Sequence, residues 1–418
     1  MRSRTLKVRR ITMSNTKQNL SVRWAYLVIG VIAMLFAGII YAWSILKAPL
    51  AETFGWGASQ LTLNFTLTMC FFCIGALLGG FISKKIGTKL PIIAAGIVAG
   101  LGFVLTSFLG GNSIVTLYLT YGVMAGLGIG VAYNVLLSII NAWFPDKKGL
   151  CSGVTLMGFG ASALVLGNLA ASMFDSMGWR TTYIILGIAL CVVLIIAALL
   201  LKKPTADVVF PQPKAAKAAG KEIFEARDYT SGEMLRRPSF WMAFIYLIFM
   251  SAVGSSVISF ARDLALSVGA TVALATTLVG VLSVCNGLGR IITGAVFDAM
   301  GRRFTMIAAP VIAIFAAGVT LLAVYIHSLP LCIVGLCLTG VSYGSCPTLT
   351  SAFTMAFFGP KNYPTNMSFM NFNIMGGSFI ATLSSTLLTN SGGYVAPFAM
   401  LLALAVVAFV LNLLIRKP

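Results

Sequence analysis

Arg290 is the residue whose type and position most narrowly define a chemistry. It is one of 29 Lys and Arg in 418 residues, and it alone falls deep inside a long apolar run, Val272 to Phe297. A guanidinium presents a planar fork of donors that matches the two oxygens of a carboxylate. Asn286, one helical turn away on the same face, adds an amide beside it. Tyrosines stand within three other apolar runs: Tyr41 in the outer half of the first, Tyr133 level with Arg290, and Tyr343 near mid-depth. A phenol donates a hydrogen bond to an anion while its ring shapes the space around it, although packing or interfacial belting accounts for most tyrosines in such runs. Asn134, Phe159 and Asn373 are further candidates for the same lining.

Other chemistries fail on context. Gly340-Val-Ser342-Tyr-Gly344 matches a serine-nucleophile pattern, but that pattern needs a strand-to-helix elbow and a histidine base. The match falls inside an apolar run, and the one histidine, His327, falls between two runs. No H-E-x-x-H, Walker A or dinucleotide fingerprint occurs, so neither metal hydrolysis nor ATP drive is supported and no cofactor is expected. Cys70, Cys73, Cys191, Cys285, Cys332 and Cys337 sit in apolar surroundings without histidine partners; they read as small apolar residues, not ligands or disulfides. The chain does not read as an enzyme.

The elements that hold Arg290 follow from composition. Hydrophobic residues make up 59% of the chain and charged residues 9%, with a formal net charge of +19. A soluble domain carries roughly 25% charged residues, so no water-facing shell can be built from this sequence. Twelve apolar stretches are each long enough to cross ~30 Å of hydrocarbon as a helix. These spans run approximately Ala25 to Leu46, Leu61 to Ile82, Pro91 to Leu109, Val115 to Ile140, Cys151 to Met173, Tyr183 to Leu201, Phe240 to Phe260, Val272 to Phe297, Thr305 to Ile326, Leu331 to Phe357, Met367 to Leu388 and Tyr394 to Ile415. They are numbered 1 to 12 below.

The +19 is not a nucleic-acid signal, because its Lys and Arg sit in short runs between spans and not on a folded surface beside base-reading partners. Of the 29, 25 lie on the side of the N-terminus, three on the other (Lys47, Arg180, Arg262), and Arg290 lies inside a span. The positive-inside rule then puts both termini in the cytoplasm, and the inner membrane of a bacterial cell is the expected location. Ten acidic residues split seven to three, with Glu52, Asp175 and Asp263 external and none inside a span. Residues 1–23 form a cytoplasmic lead-in without a cleavable signal, in which Met13 is an alternative start. Lys202 to Arg237 reads as a cytoplasmic linker joining six spans (24–201) to six more (238–418).

An internal repeat supports that division. Gly80-Phe-Ile-Ser-Lys84-Lys85-Ile-Gly87 follows span 2, and Gly294-Ala-Val-Phe-Asp298-Ala299-Met-Gly301-Arg302-Arg303 follows span 8. Gly80 and Gly294, Gly87 and Gly301, Phe144 and Phe358, and Gly178 and Gly392 are each 214 apart. The motif resembles the loop signature of the major facilitator superfamily. That resemblance implies an all-α membrane protein of twelve helices in two pseudo-symmetric halves. It also implies that Gly80, Lys85, Gly87, Gly294, Asp298, Gly301 and Arg302 tie helix ends together in one conformation. The first copy departs from the family, with Lys84 at the aspartate position, and Ala299 stands at the usual arginine of the second.

Tyr41-Ala-Trp43-Ser44, Trp143-Phe-Pro-Asp-Lys-Lys-Gly149, Gly178-Trp-Arg180 and Arg237-Pro-Ser-Phe-Trp241 narrow the resemblance to the oxalate/formate antiporters and related monocarboxylate transporters. Within that group the resemblance implies a span-8 arginine on the substrate carboxylate, here Arg290, and substrate-facing tyrosines in spans 1, 4 and 10. It also implies a second cation in span 11, where Asn371-Phe-Asn-Ile-Met375-Gly376 has Met375 instead.

A charge at Arg290's depth, about 10 Å from the helix end, costs about 2.5–3.5 kcal/mol on insertion scales. No intramembrane acid offsets it. Either an anion does, or Arg290 is a strut that snorkels or binds helix carbonyls. One guanidinium neutralises one carboxylate, whereas a dianion leaves a desolvated charge uncompensated. The expected function is therefore secondary transport of a small monocarboxylate of the lactate, pyruvate or formate class, by exchange or with protons as co-substrate. Its partners are the organic anion and the lipid bilayer, and the chain is expected to be a monomer. An oxalate:formate-type exchanger, an anion channel and a transporter-derived sensor are the alternatives. Glycines at 122, 126 and 130 in span 4, and at 153, 158 and 160 in span 5, read as faces for close helix packing.

Overall fold

The computed structural model describes residues 22–110, 113–144, 148–204, 208, 227–359 and 362–415, and every regular element among them is helical. The N-terminal lead-in to residue 21 and most of the linker lie outside the described residues, as do the side chains of Lys84, Asp298 and Arg302. Ten helical segments are long and apolar enough to cross a membrane. One of them, Gly153–Leu200, holds spans 5 and 6, because the backbone breaks at Gly178 (φ 79, ψ 160). Span 11, Tyr363–Ser391, has the length but carries more polar residues than its neighbours. The segments therefore contain the twelve expected crossings. Side chains such as Val28, Leu101, Ile188, Phe315 and Val410, each more than 40% exposed, form the outer surface. That is the inverse of a water-soluble shell and suits hydrocarbon as the solvent.

The repeat read in the sequence recurs in the packing. In the first half, a Cβ on Gly126 would meet the Thr68 carbonyl, one on Gly130 the Phe72 carbonyl, and one on Gly75 the Leu127 carbonyl. In the second half Gly340 meets Leu282, Gly344 meets Asn286 and Gly289 meets Val341 in the same way. Each of these six residues is the first-half residue displaced by 214 positions. Spans 2 and 4 thus cross as spans 8 and 10 do, backbone against backbone, because glycine removes the side chain that would hold them apart. The same shift carries Ala76 onto Arg290. The two crossings share geometry, and only the second carries a charge.

The loop glycines agree. Gly87 has φ 83 and ψ −178, and Gly301 has φ 78 and ψ 174. That region is essentially closed to residues with a Cβ. It turns span 2 into span 3 across Gly87 and Thr88, and span 8 into span 9 at Gly301 alone. Gly80 faces Asn134 at 3.6 Å, and Gly294 faces Thr348 at 3.9 Å, each distance measured from an ideal Cβ.

The first six spans meet the last six along two seams. Span 2 follows span 11: the Thr62 and Ser385 hydroxyls are 2.6 Å apart, Thr66 Oγ1 donates to the Ser378 carbonyl at 2.6 Å, and Cys73 Sγ donates to the Asn371 carbonyl at 3.7 Å. Span 5 follows span 8, where a Cβ on Gly160 would lie 2.9 Å from the Ser283 carbonyl and 3.2 Å from Gly287 Cα. Spans 1 and 7 are both irregular: span 1 tightens to a 3-10 helix over Gly38–Ala42, and span 7 leaves helical geometry at Phe260 (φ −132, ψ 16).

The end of the linker is not a free tether. Tyr229 is buried, its N–H donates to the Phe358 carbonyl, and Asn362 and Asn366 donate to its own carbonyl. A short helix, Ser231–Leu235, follows, capped reciprocally by Thr230 and Glu233.

Candidate functional site

Arg290 sits where the seams converge. It is 4% exposed, its Nη1 lies 3.5 Å from the Leu156 carbonyl of span 5, and its Nε is buried without a hydrogen-bond partner. Among the described residues no carboxylate pairs with it. Among the described residues this long contact to a carbonyl is the one hydrogen bond of a guanidinium that carries five donors. Span 10 holds the helix in place at this point: Thr348 Oγ1 donates to the Arg290 carbonyl at 3.3 Å, and Gly344 admits the backbone of Asn286.

Asn286 is fully buried, and neither its Oδ1 nor its Nδ2 has a hydrogen-bond partner. It is joined in that state by Tyr343 Oη, Ser283 Oγ and Ser255 Oγ. A buried polar atom left unpaired costs about 1–3 kcal/mol. Several of them gathered on spans 7, 8 and 10 beside an unpaired cation make a site that a polar anion would satisfy.

Aromatic rings wall the site. Tyr41 meets Tyr343 at 6.2 Å and Phe159 at 5.1 Å between ring centroids, and Phe159 meets Tyr133 at 5.2 Å. Phe72 lies 5.1 Å from Tyr133 and 6.1 Å from Phe159. These ring contacts, edge-on except for the tilted Phe72–Phe159 pair, link spans 1, 2, 4, 5 and 10 into one continuous cluster. The Arg290 charge lies within electrostatic reach of the Tyr133 phenol and the Cys346 thiol. Tyr343 Oη lies beside the Tyr41 and Ser255 hydroxyls without a hydrogen bond of good geometry to either.

The structure therefore gathers Arg290, Tyr41, Tyr133, Tyr343 and Phe159 at one place, with Asn286 a helical turn from Arg290. It does not do the same for the other two asparagines. Asn373 is committed elsewhere: Ser251 donates to its Oδ1 at 2.9 Å, and its Nδ2 donates to the Met370 carbonyl at 2.6 Å and to Thr350 at 3.3 Å. Asn134 lies between spans 2 and 4 against Gly80. Met375 packs partly buried against the apolar core, so span 11 presents a thioether where the resemblance implied a cation.

Two features escape a reading of the sequence. Gly254 of span 7 has no room for a Cβ, which would fall on the Tyr343 ring; this glycine makes space for the tyrosine. The polar run Ser251-Ala-Val-Gly254-Ser255-Ser256 inside an apolar span was the available signal. Lys47, counted among external loop charges, is instead 3% exposed at the end of span 1, with its Nζ 2.8 Å from Asp263 Oδ2 of span 7.

A helical bundle with a polar cluster sunk between two repeated sets of spans is the architecture of a membrane transporter. The Major Facilitator Superfamily family model matches residues 26–307 and 247–418, and the chain belongs to that family. It is 26% identical over 404 residues to the oxalate:formate antiporter of Oxalobacter formigenes, covering 93% of this chain and 91% of that one. It is 24% identical over 369 residues to human monocarboxylate transporter 12, covering 82% and 70%. The structure of the nucleoside transporter NupG superposes with a TM-score of 0.71 at 12% identity, covering 95% of this chain and 100% of that one; the likeness is one of fold.

Proposed function

We propose that the chain carries small monocarboxylates across the inner membrane of a bacterial cell by alternating access, with Arg290 holding the carboxylate. The observation that carries this reading is the buried, acid-free guanidinium, with its Nε unpartnered, in a cluster of unsatisfied polar atoms. Residues 24–201 and 238–418 act as the two moving halves, joined through 202–237, with both termini cytoplasmic. Asn286 and the hydroxyls of Tyr41, Tyr133 and Tyr343 supply further donors, and Phe159 limits the size of what fits. The loop residues Gly80, Lys85, Gly87, Gly294, Asp298, Gly301 and Arg302 serve the gating motion at the basic face.

Charge selects one carboxylate over two. Arg290 is the sole cation of the site, and Met375 stands where a second would be. A dicarboxylate would keep a net charge in a low-dielectric space at a cost of several kcal/mol. The bound anion also neutralises Arg290, which lowers the penalty for occluding the site and couples binding to movement. Asp263 stands at the outer end of the span-7 helix and no Asp or Glu lies at the depth of Arg290, so the sequence offers no carboxylate at the site as a proton carrier, which favours exchange over proton symport.

The test is counterflow in proteoliposomes with a panel of mono- and dicarboxylates. Saturable exchange of lactate, pyruvate or formate, lost in Arg290→Ala, is expected. Better exchange of oxalate than of any monocarboxylate overturns the charge argument, and flux without counterflow saturation would indicate a channel.

A further inference from the structure

We propose that Cys285 and Cys337 form a dithiol site, open to the bilayer, for one neutral trivalent arsenic compound, and that filling it slows transport. Spans 8 and 10 cross here backbone against backbone. A Cβ on Gly340 would lie 2.7 Å from Cys285 Cβ and 3.2 Å from the Asn286 nitrogen. Cys337 stands one turn before Gly340 on span 10, and its thiol lies within interaction reach of the Cys285 thiol. Both cysteines are free and only partly buried. Leu288 and Ile292 follow Cys285 on the same face of span 8, and Val334 precedes Cys337 on the same face of span 10; all three are exposed on the outer surface. The pair therefore opens toward lipid and is separate from the Arg290 cluster.

Taken singly these cysteines read as small apolar residues; the fold pairs them. Two thiols in hydrocarbon have few chemistries open to them. Ligation of a cation by thiolates puts charges into an apolar medium. A disulfide needs an oxidant to take two electrons and needs the sulfurs to close to bonding distance, where the glycine crossing already holds the helices in backbone contact. A trivalent arsenical needs neither. R–As=O and two Cys–SH give R–As(S–Cys)2 and one water: both S–H bonds and the arsenic–oxygen bond break, two As–S bonds form, and both protons leave on the oxygen. Arsenic stays trivalent, and every species is uncharged. The bridging atom joins sulfurs that stay unbonded to each other, which suits thiols on two adjacent helices. Its effect on transport, which rests on the monocarboxylate reading above, follows from position. An atom wedged between the thiols overpacks the crossing one residue from Asn286 and five from Arg290. Cys70 and Cys73, three apart on span 2, are the rival dithiol. Both are buried, and Cys73 Sγ donates to the Asn371 carbonyl across a seam, so a reagent reaches them only when that seam opens.

The probe is phenylarsine oxide, added to the full chain in proteoliposomes. Intact-mass spectrometry should show one adduct per chain, equal to one arsenical less one water. A dithiol such as dimercaptopropanol should remove it, and the same concentration of a monothiol should not. Cys285→Ala and Cys337→Ala should each abolish the adduct, and Cys70→Ala/Cys73→Ala should retain it. Alanine keeps the Cβ, and neither cysteine belongs to the Arg290 cluster, so both single variants should insert and exchange substrate near the wild-type rate. Labelling should slow exchange of the best wild-type monocarboxylate about three- to tenfold, and should leave the two single variants unaffected. An adduct that persists in either single variant, an adduct found on Cys70 and Cys73, or a disulfide between Cys285 and Cys337 in the untreated protein overturns the site. An adduct on the pair with exchange unchanged overturns its effect on transport. The mass readout needs no transported substrate, so a wild type that moves no monocarboxylate overturns the function proposed above while the site is still decided by the adduct.

Discussion

Arg290 carries the account at the scale of single residues. Its guanidinium differs from an ammonium by the planar fork, so Arg290→Lys keeps the charge and loses the bidentate match. About ten- to a hundredfold loss of transport is expected from Arg290→Lys, with membrane insertion unchanged, read by initial-rate uptake normalised to inserted protein. A strut that only bound helix carbonyls would tolerate lysine, because the one carbonyl contact, to Leu156 at 3.5 Å, is already long. Gly254 gives a second residue-scale outcome. Gly254→Val forces the Tyr343 ring aside, and overpacking of this kind costs about 1–3 kcal/mol. Lower thermal stability in detergent is expected, with stability but not transport recovered by adding Tyr343→Ala.

Span helices obey two kinds of local instruction, and both can be tested at the scale of elements. The first is the single-residue reversal. Gly87 and Gly301 hold a backbone conformation that side chains exclude, and alanine at either costs about 1–3 kcal/mol. Gly301→Ala should therefore lower the apparent unfolding temperature, whereas Gly153→Ala, whose Cβ meets only Ile291 Cγ1 at 3.4 Å, should barely move it. The second is the cap on Ser231–Leu235. Hydrogen bonds from the Thr230 N–H, then from its hydroxyl, hold the Glu233 carboxyl below the ordinary glutamate range. A depressed folded-state value means the cap's contribution is present above the unfolded value and is lost as pH falls through the folded one. Amide exchange in Ser231–Leu235, corrected for its intrinsic pH dependence, should thus lose protection on acidification in the wild type. Glu233→Gln should show no such step.

How far elements could be read from the chain depended on what each signal measures. Hydropathy measures transfer to lipid, so it placed all twelve spans. It could not foresee that spans 5 and 6, or 8 and 9, would join through single-residue turns. The 214-residue repeat was visible in a few loop glycines, and the same shift turned out to govern the helix crossings, because those crossings are also made by glycine. Arg290 stood out because a buried charge is rare. Lys47 did not, because a charge at the end of a span is normally solvated, and its partner lies in another half of the chain. Asn373 misled for the opposite reason: an amide in a span looks available until its hydrogen bonds to Ser251, Thr350 and Met370 are known.

At the scale of the whole molecule, the seams between spans 2 and 11 and between spans 5 and 8 must open by turns if the halves rock about Arg290. The Thr62 and Ser385 side chains meet on the first seam. Paired cysteines there, in a background cleared of the eight native cysteines, should cross-link and stop transport, with recovery on reduction. Continued transport through the cross-link would remove alternating access along this seam.

The central claim is that one unpaired arginine in a closed aromatic cluster selects one carboxylate per substrate. Counterflow against a matched pair of small acids, one monocarboxylate and one dicarboxylate, tests it most directly when Met375→Lys is run beside the wild type. The wild type should exchange the monocarboxylate and largely exclude the dicarboxylate, and the added cation should shift preference toward the dicarboxylate. Equal or better exchange of the dicarboxylate by the wild type, with no change on adding the lysine, would contradict it.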